Sequence, residues 1–229
     1  MVTVREASQV RHRALCSALR VYLVTDRSLT RGRPLAQVVE AAVRGGATCV
    51  QLREKDLDTD DFLAQAVMLQ RLLAPLGIPL VINDNLEVAL ACGAAGVHLG
   101  QGDLSPEQAR ELLPPEVFIG WSVETAADVA RSASMPVDYL GVSPVFATPT
   151  KTDTKTPWGL AGVRQVRAMT ALPLVAIGGI HTGNAGDVLR AGADGLAVVS
   201  AICAADDPAA AARELCQIGS SASWGIDPA

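Results

Sequence analysis

PLVAIGGIHTGNAGDVLRAGADGLAVVSAI, residues Pro173–Ile202, holds one complete structural unit. It opens on a short apolar run, PLVAI (173–177), closed by a glycine pair. GNAGDVLRAG follows, with apolar residues three to four apart, as one face of an amphipathic helix requires. A second apolar run, DGLAVV (194–199), comes directly after it. A strand that returns through a helix to a second strand is a parallel βαβ unit.

The same alternation runs back to Val21. Candidate strands are VYLVT (21–25), TCVQL (48–52), PLVIN (79–83), GVHL (96–99), VFIG (117–120) and DYLGV (138–142), and with the two above they make eight. Helical stretches separate them, and GGAT, CGAAG and AGADG place glycine where a helix stops in the left-handed conformation. A last helix is expected over residues 208–218. Eight βα units within 229 residues predict an α/β fold, a single (β/α)8 TIM barrel near the small end of that class. An open doubly wound sheet is the alternative, weakened because the turn after the first strand, VTDRSLTRG, lacks a G-x-G-x-x-G loop. Residues 1–20 read as an extra helix plugging the barrel bottom or as a frayed terminus, residues 21–218 as the catalytic barrel, and residues 219–229 as a flexible tail.

Composition excludes several functions. A net charge of −5 disfavours nucleic acid or an anionic membrane as partner. Five cysteines without a C-x-x-C pair suggest neither a disulfide framework nor a zinc site, and read as reduced, mostly core thiols. Arginines interrupt the first twenty residues and no apolar run reaches bilayer length, so the expectation is a soluble cytoplasmic protein.

Barrel enzymes carry their chemistry on the loops leaving the C-terminal ends of the strands. After strand two, QLREKD alternates Gln51, Arg53 and Lys55 toward one side; a solvated charge cluster pairing with Glu54 and Asp56 is the other reading. Asn83, Asp84 and Asn85 follow strand three, and Gln101 and Asp103 follow strand four; each alone also fits a helix cap or turn. Two carboxylates on adjacent strand ends suggest a shared hard cation, for which Mg2+ suits best, since it is held by one or two carboxylates with water and phosphate. His98, inside strand four, reads as a core histidine rather than a general base, and His181 either lines a phosphate loop or faces solvent. Ser122, after strand five, lacks a nucleophile elbow. Gly178, Gly179, Val199 and Ser200, after strands seven and eight, lie where barrels bind phosphate on bare amides. SPVFATPTKTDTK (143–155) crowds hydroxyls and lysines after strand six and reads as a surface loop or as a lid over an anion.

Taken in order, YLVTD, QLREK, IND, GVHLGQGD, YLGVSPVFATPTKTD, VAIGGI and GADGLAVVSAI resemble the thiamine-phosphate synthase (thiamine-phosphate pyrophosphorylase) family over nearly the whole barrel. The resemblance implies a transferase joining 4-amino-2-methyl-5-hydroxymethylpyrimidine diphosphate to 4-methyl-5-(2-phosphoethyl)thiazole, or its carboxylated form, with loss of diphosphate. It implies Gln51, Arg53 and Lys55 on the pyrimidine diphosphate, Asn83 on the pyrimidine, Asp84 and Asp103 on Mg2+, and Ser122 near the reacting centre. Thr148, Thr150 and Lys151 would come from the lid, with Lys151 facing the leaving diphosphate, and Gly179, Val199 and Ser200 would take the thiazole phosphate. Arg53, Lys55, Ser122 and Lys151 are then the residues expected to act in catalysis. Ala147 stands where the family loop often has proline. The partners implied are these small molecules, and a homodimer is compatible with the sequence. The rival families are a thiazole tautomerase, which lacks the Thr-x-Thr-Lys loop, a non-catalytic thiamine-phosphate sensor, and a sugar-phosphate epimerase.

Overall fold

The computed structural model describes residues 4–148 and 156–222. Eight parallel strands close on one another in sequence order, β1 pairing with both β2 and β8. They are β1 (Val21–Val24), β2 (Cys49–Leu52), β3 (Leu80–Asn83), β4 (Gly96–Leu99), β5 (Phe118–Val123), β6 (Tyr139–Val142), β7 (Leu174–Ile177) and β8 (Gly195–Val198). The helices are α1 (Val4–Ala18), α2 (Leu35–Gly45), α3 (Thr59–Leu73), α4 (Leu86–Cys92), α5 (Pro106–Leu112), α6 (Ala126–Ser132), α7 (Gly159–Met169), α8 (Thr182–Arg190), α9 (Ser200–Cys203) and α10 (Pro208–Ala222). The barrel expectation holds, including the helix ahead of it.

Period-two alternation divides each strand between two cores. Outward residues such as Val21, Leu23, Val50, Leu52, Leu80, Ile82, Leu140 and Val142 join the layer between sheet and helices. Inward residues Tyr22, Val24, Cys49, Val81, Tyr139, Val175 and Ala197 fill the barrel with Leu19, and Leu15 and Phe118 pack against them. Only glycine fits at position 120, where an added Cβ would come within 2.0 Å of Tyr139 Cζ, so the tyrosine ring lies flat over that strand. The α2 and α4 stops use Gly46 and Gly93 in the left-handed region, as the sequence pattern predicts.

Three features differ from expectation. β5 runs on through Gly120–Val123, so Ser122 lies inside the strand rather than after it, because the pairing to β6 continues to Val123–Val142. α10 reaches Ala222, and residues 219–222 continue that helix instead of beginning a tail, with Gly219 buried. Only Cys49 and Cys203 are fully buried thiols; Cys16, Cys92 and Cys216 are half-buried, and all five are free. Among the described residues, no helix is long and apolar enough to cross a membrane.

Candidate active site

The upper barrel interior turns polar. Gln51, Asn83 and Ser122, at the inward register of β2, β3 and β5, are buried, and His98 of β4 is half-buried beside them. Together with Tyr22 and Tyr139 they form the floor of a cavity of about 600 Å3 at the C-terminal ends of the strands. Burying so many polar groups demands partners, and a chain of hydrogen bonds links all of these residues but Asn83. Gln51 Nε2 donates to Tyr22 Oη at 2.9 Å, and Tyr22 Oη lies 3.0 Å from Tyr139 Oη. Tyr139 Oη lies 2.9 Å from His98 Nδ1, and His98 Nε2 lies 2.9 Å from Ser122 Oγ. His98 is thus satisfied, as expected, yet it also borders the cavity.

The rim is charged. Lys55 Nζ pairs with Asp84 Oδ2 at 2.9 Å, bridging the ends of β2 and β3. Asp84 takes a left-handed backbone, φ 62°, and its N–H donates to His98 O at 2.9 Å, which turns the chain out of the sheet beside β4. Asp103 Oδ2 accepts from Gly100 N at 2.7 Å. Its carboxyl is raised above the usual aspartate range, first by burial and then by the facing Asp84 carboxyl. Arg53 lines the same cavity and makes no ion pair among the described residues. Glu54 turns away to Arg27 Nε at 3.0 Å, so the charges of QLREKD do not form one local cluster.

Gly178 and Gly179 have φ of 104° and 63°, and Cβ atoms there would meet Pro144 Cβ at 2.7 Å and Ala147 O at 2.8 Å. The pair is therefore also required for close packing of the β7 turn against the chain leaving β6. Val199 caps α9, which begins at Ser200, and both line the cavity with Gly179. His181 caps α8, its Nδ1 accepting from Gly183 N at 3.1 Å, while its side chain edges the same cavity. Gln101 braces the wall: its Nε2 donates to Ser122 O at 2.6 Å and its Oε1 accepts from Arg131. Gln51, Arg53, Lys55, Asn83, Asp84, Asp103, Ser122, Thr148, Gly179, Val199 and Ser200 all border this cavity, while Thr150 and Lys151 lie outside the described residues.

A family profile described as thiamine monophosphate synthase matches residues 21–202, the span from β1 into α9. The chain belongs to the thiamine monophosphate synthase family. Among its relatives, the thiamine-phosphate synthase of Albidiferax ferrireducens is 71% identical over 93% of this chain and 97% of its own. That of Chloroflexus aurantiacus is 49% identical over 86% and 90%. A solved thiamine phosphate pyrophosphorylase from Pyrococcus furiosus superposes with a TM-score of 0.85 at 36% identity, covering 91% of this chain and 99% of that one. Membership of the thiamine monophosphate synthase family makes the chain a transferase of thiamine biosynthesis.

Asp84 and Asp103 are the candidate carboxylates for a divalent cation at the cavity rim. Among the described residues, no cluster of three or more His, Cys, Asp or Glu side chains gathers. That disfavours a fully protein-ligated ion and leaves Asp84 and Asp103 as a pair. Burial first, and then the facing Asp84 carboxyl, raise Asp103, so the two carboxylates lie close enough to interact. A hard cation taking two carboxylate oxygens and completing its shell elsewhere fits that pair.

Sequence reasoning missed Tyr22 and Tyr139. The signal was present, for they are the only tyrosines in the chain and each is the inward residue of a strand, in VYLV and DYLG.

Proposed function

We propose that this chain is a thiamine-phosphate synthase acting through a dissociative substitution. The observation that carries the reading is that the rim cations, the carboxylate pair and the loops after β7 and β8 face one cavity in a member of this family. The bond from the pyrimidine methylene carbon to the diphosphate oxygen breaks, its electron pair leaving with diphosphate. The thiazole nitrogen then donates its lone pair to that carbon, giving the thiazolium of thiamine phosphate. Electron release from the aminopyrimidine supports the cation, so no strong base is needed.

Arg53 and Lys55 would hold the diphosphate and compensate charge growing on it, and Lys151 would do the same from the loop. Asp84 and Asp103 would hold Mg2+, which supplies further charge neutralisation at the departing oxygens. Asn83 and Gln51 would position the pyrimidine, while Gly179, Val199 and Ser200 would fix the thiazole phosphate so that its nitrogen faces the carbon. Ser122 would lie beside the reacting centre. Closure by Thr148, Thr150 and Lys151 would keep water from the cation. The thiazole partner is taken in either its plain or its carboxylated form.

The test is direct. Purified protein with both substrates and Mg2+ should yield thiamine phosphate by mass and release diphosphate, and a control without thiazole phosphate should not; no product with either thiazole form would refute the proposal. Lys151→Ala should lower kcat by roughly 100-fold or more while changing thiazole phosphate affinity little. Equal losses in both would move Lys151 to ground-state binding.

A further inference from the structure

The chain Gln51–Tyr22–Tyr139–His98–Ser122 crosses the barrel interior from β2 to β5, and each member has few choices of donor and acceptor. Gln51 gives an amide N–H to Tyr22 Oη. The Tyr22 proton then has two places to go: Tyr139 Oη at 3.0 Å, or the Cys49 thiol, which is also within its reach. Sulfur is a weak acceptor, so oxygen takes it. Tyr139, having accepted, passes its own proton to His98 Nδ1 at 2.9 Å. A neutral imidazole that accepts on Nδ1 carries its proton on Nε2 and donates from it. That donation goes to Ser122 Oγ at 2.9 Å. Burial pushes both tyrosines well above their ordinary range, so each keeps the single proton this ordering requires.

We propose that the Gln51 amide sets the direction of this chain and that Tyr22 and Tyr139 relay it, Tyr139 holding His98 in the Nε2–H tautomer, which leaves Ser122 with an O–H donor toward the cavity and Gln51 with a carbonyl acceptor. The two ends are therefore tied: reversing one reverses both. The chain selects a planar ligand with a donor at one edge and an acceptor at the opposite edge, which an aminopyrimidine offers. This ligand assignment rests on the proposed function; the tautomer does not. Tyr22 and Tyr139 are positioning residues, acting through Gln51 and Ser122. The Tyr139 ring is pinned over Gly120 and stacks edge-on to Phe118 at 6.1 Å, so Tyr139→Phe keeps the packing and removes only the hydroxyl.

The chain has three histidines, and 15N-histidine NMR of the free protein, with His98→Asn for assignment, reads the tautomer directly. The expected pattern is Nε2–H at His98, unchanged in Tyr22→Phe, with the Nδ1 resonance losing its hydrogen-bond shift in Tyr139→Phe. A wild-type His98 protonated on Nδ1, or on both nitrogens, overturns the proposal. In the coupling assay, Tyr22→Phe should raise KM for the pyrimidine diphosphate by about tenfold with kcat nearly unchanged, since one hydrogen bond ceases to orient Gln51. An unchanged KM overturns the Gln51 half. If no form makes product, the functional reading fails while the tautomer result still stands, and if a variant does not fold, the wild-type spectrum alone decides.

Discussion

Asp84 sits at φ 62°, a region that aspartate and asparagine enter readily and other side chains at a cost of about 1–2 kcal/mol. Asp84→Asn keeps that backbone while removing the charge facing Lys55, and the pair is half-exposed, so its loss should change stability by less than about 1 kcal/mol. Apparent Mg2+ affinity should fall by at least the roughly 10- to 100-fold that loss of an outer partner costs. Asp84→Ala should show the same loss of Mg2+ affinity with lower urea stability, the difference reporting the turn. Asp103 behaves oppositely. Its carboxyl is raised in the folded protein by burial and by Asp84, so the native state binds more protons than the unfolded state between the two values. Stability of the metal-free protein therefore falls as pH rises through that window, and the penalty is complete above it. Asp103→Asn should match or exceed wild type in Tm at pH 8 with chelator present, lose that advantage near pH 3, and no longer gain Tm from added Mg2+. A lower Tm at pH 8 would show that charge repulsion does not govern this position. The carboxylates were legible because each follows an apolar run directly. Their partners were not: whether Lys55 meets Asp84 or Glu54 depends on the register between β2 and β3, which one strand read alone does not contain.

At the scale of elements, the strands were legible because each is a short, mostly apolar run ended by a glycine, proline or polar cluster. β5 is longer than its sequence suggests, since GWSV mixes a glycine, an inward serine and an outward tryptophan that looks like the start of a loop. Pairing with β6 carries it on to Val123, and α6 holds the chain that follows. Asp128, the third residue of that helix, accepts from Glu124 N at 3.1 Å and Thr125 N at 2.8 Å, and pairs with Arg131 at 2.7 Å. Arg131 lies over the Trp121 ring, 5.4 Å to its centroid, and donates to Gln101, which in turn holds Ser122 O. The cap of one short helix is thereby connected to the placement of Ser122. Burial pushes the Asp128 carboxyl up, but the Thr125 hydroxyl, the two amides and Arg131 outweigh it and leave it lowered. Its stabilisation is thus present above the unfolded carboxyl range and disappears as pH falls through the lowered folded value. Asp128→Ala should cost about 1–2 kcal/mol in urea unfolding at pH 7, shrinking toward zero in strong acid. A loss independent of pH would assign the effect to packing instead.

For the whole molecule, counting eight βα units was enough to name the barrel, because closure leaves no strand edge for a ninth element to occupy. How its bottom is sealed was only half legible, since the helical spacing in residues 1–20 does not say which of them is buried. The seal is Leu19, fully buried among the inward side chains, with Leu15 packed below it. The backbone there is laced to both neighbouring strands: Leu196 N donates to Arg20 O at 2.9 Å, and Val21 N to Thr48 Oγ1 at 3.0 Å. A Cβ at Gly195 would come within 2.0 Å of Leu19 O, so the seam admits no side chain. By contrast Val10 is 65% exposed, and His12, Arg13 and Ala14 also face solvent. Two perturbations of similar position should then differ sharply. Leu19→Ala opens a cavity beneath Tyr22 and should cost about 2–5 kcal/mol, whereas deleting residues 1–14, which takes away the exposed Val10, His12, Arg13 and Ala14, should cost less than half as much. Both should leave the KM values near wild type below their unfolding transitions, because the seal and the candidate active-site cavity occupy opposite ends of the strands. Urea titrations of the two variants decide it: a deletion as damaging as Leu19→Ala would mean that α1 is part of the folding core rather than a cover on it.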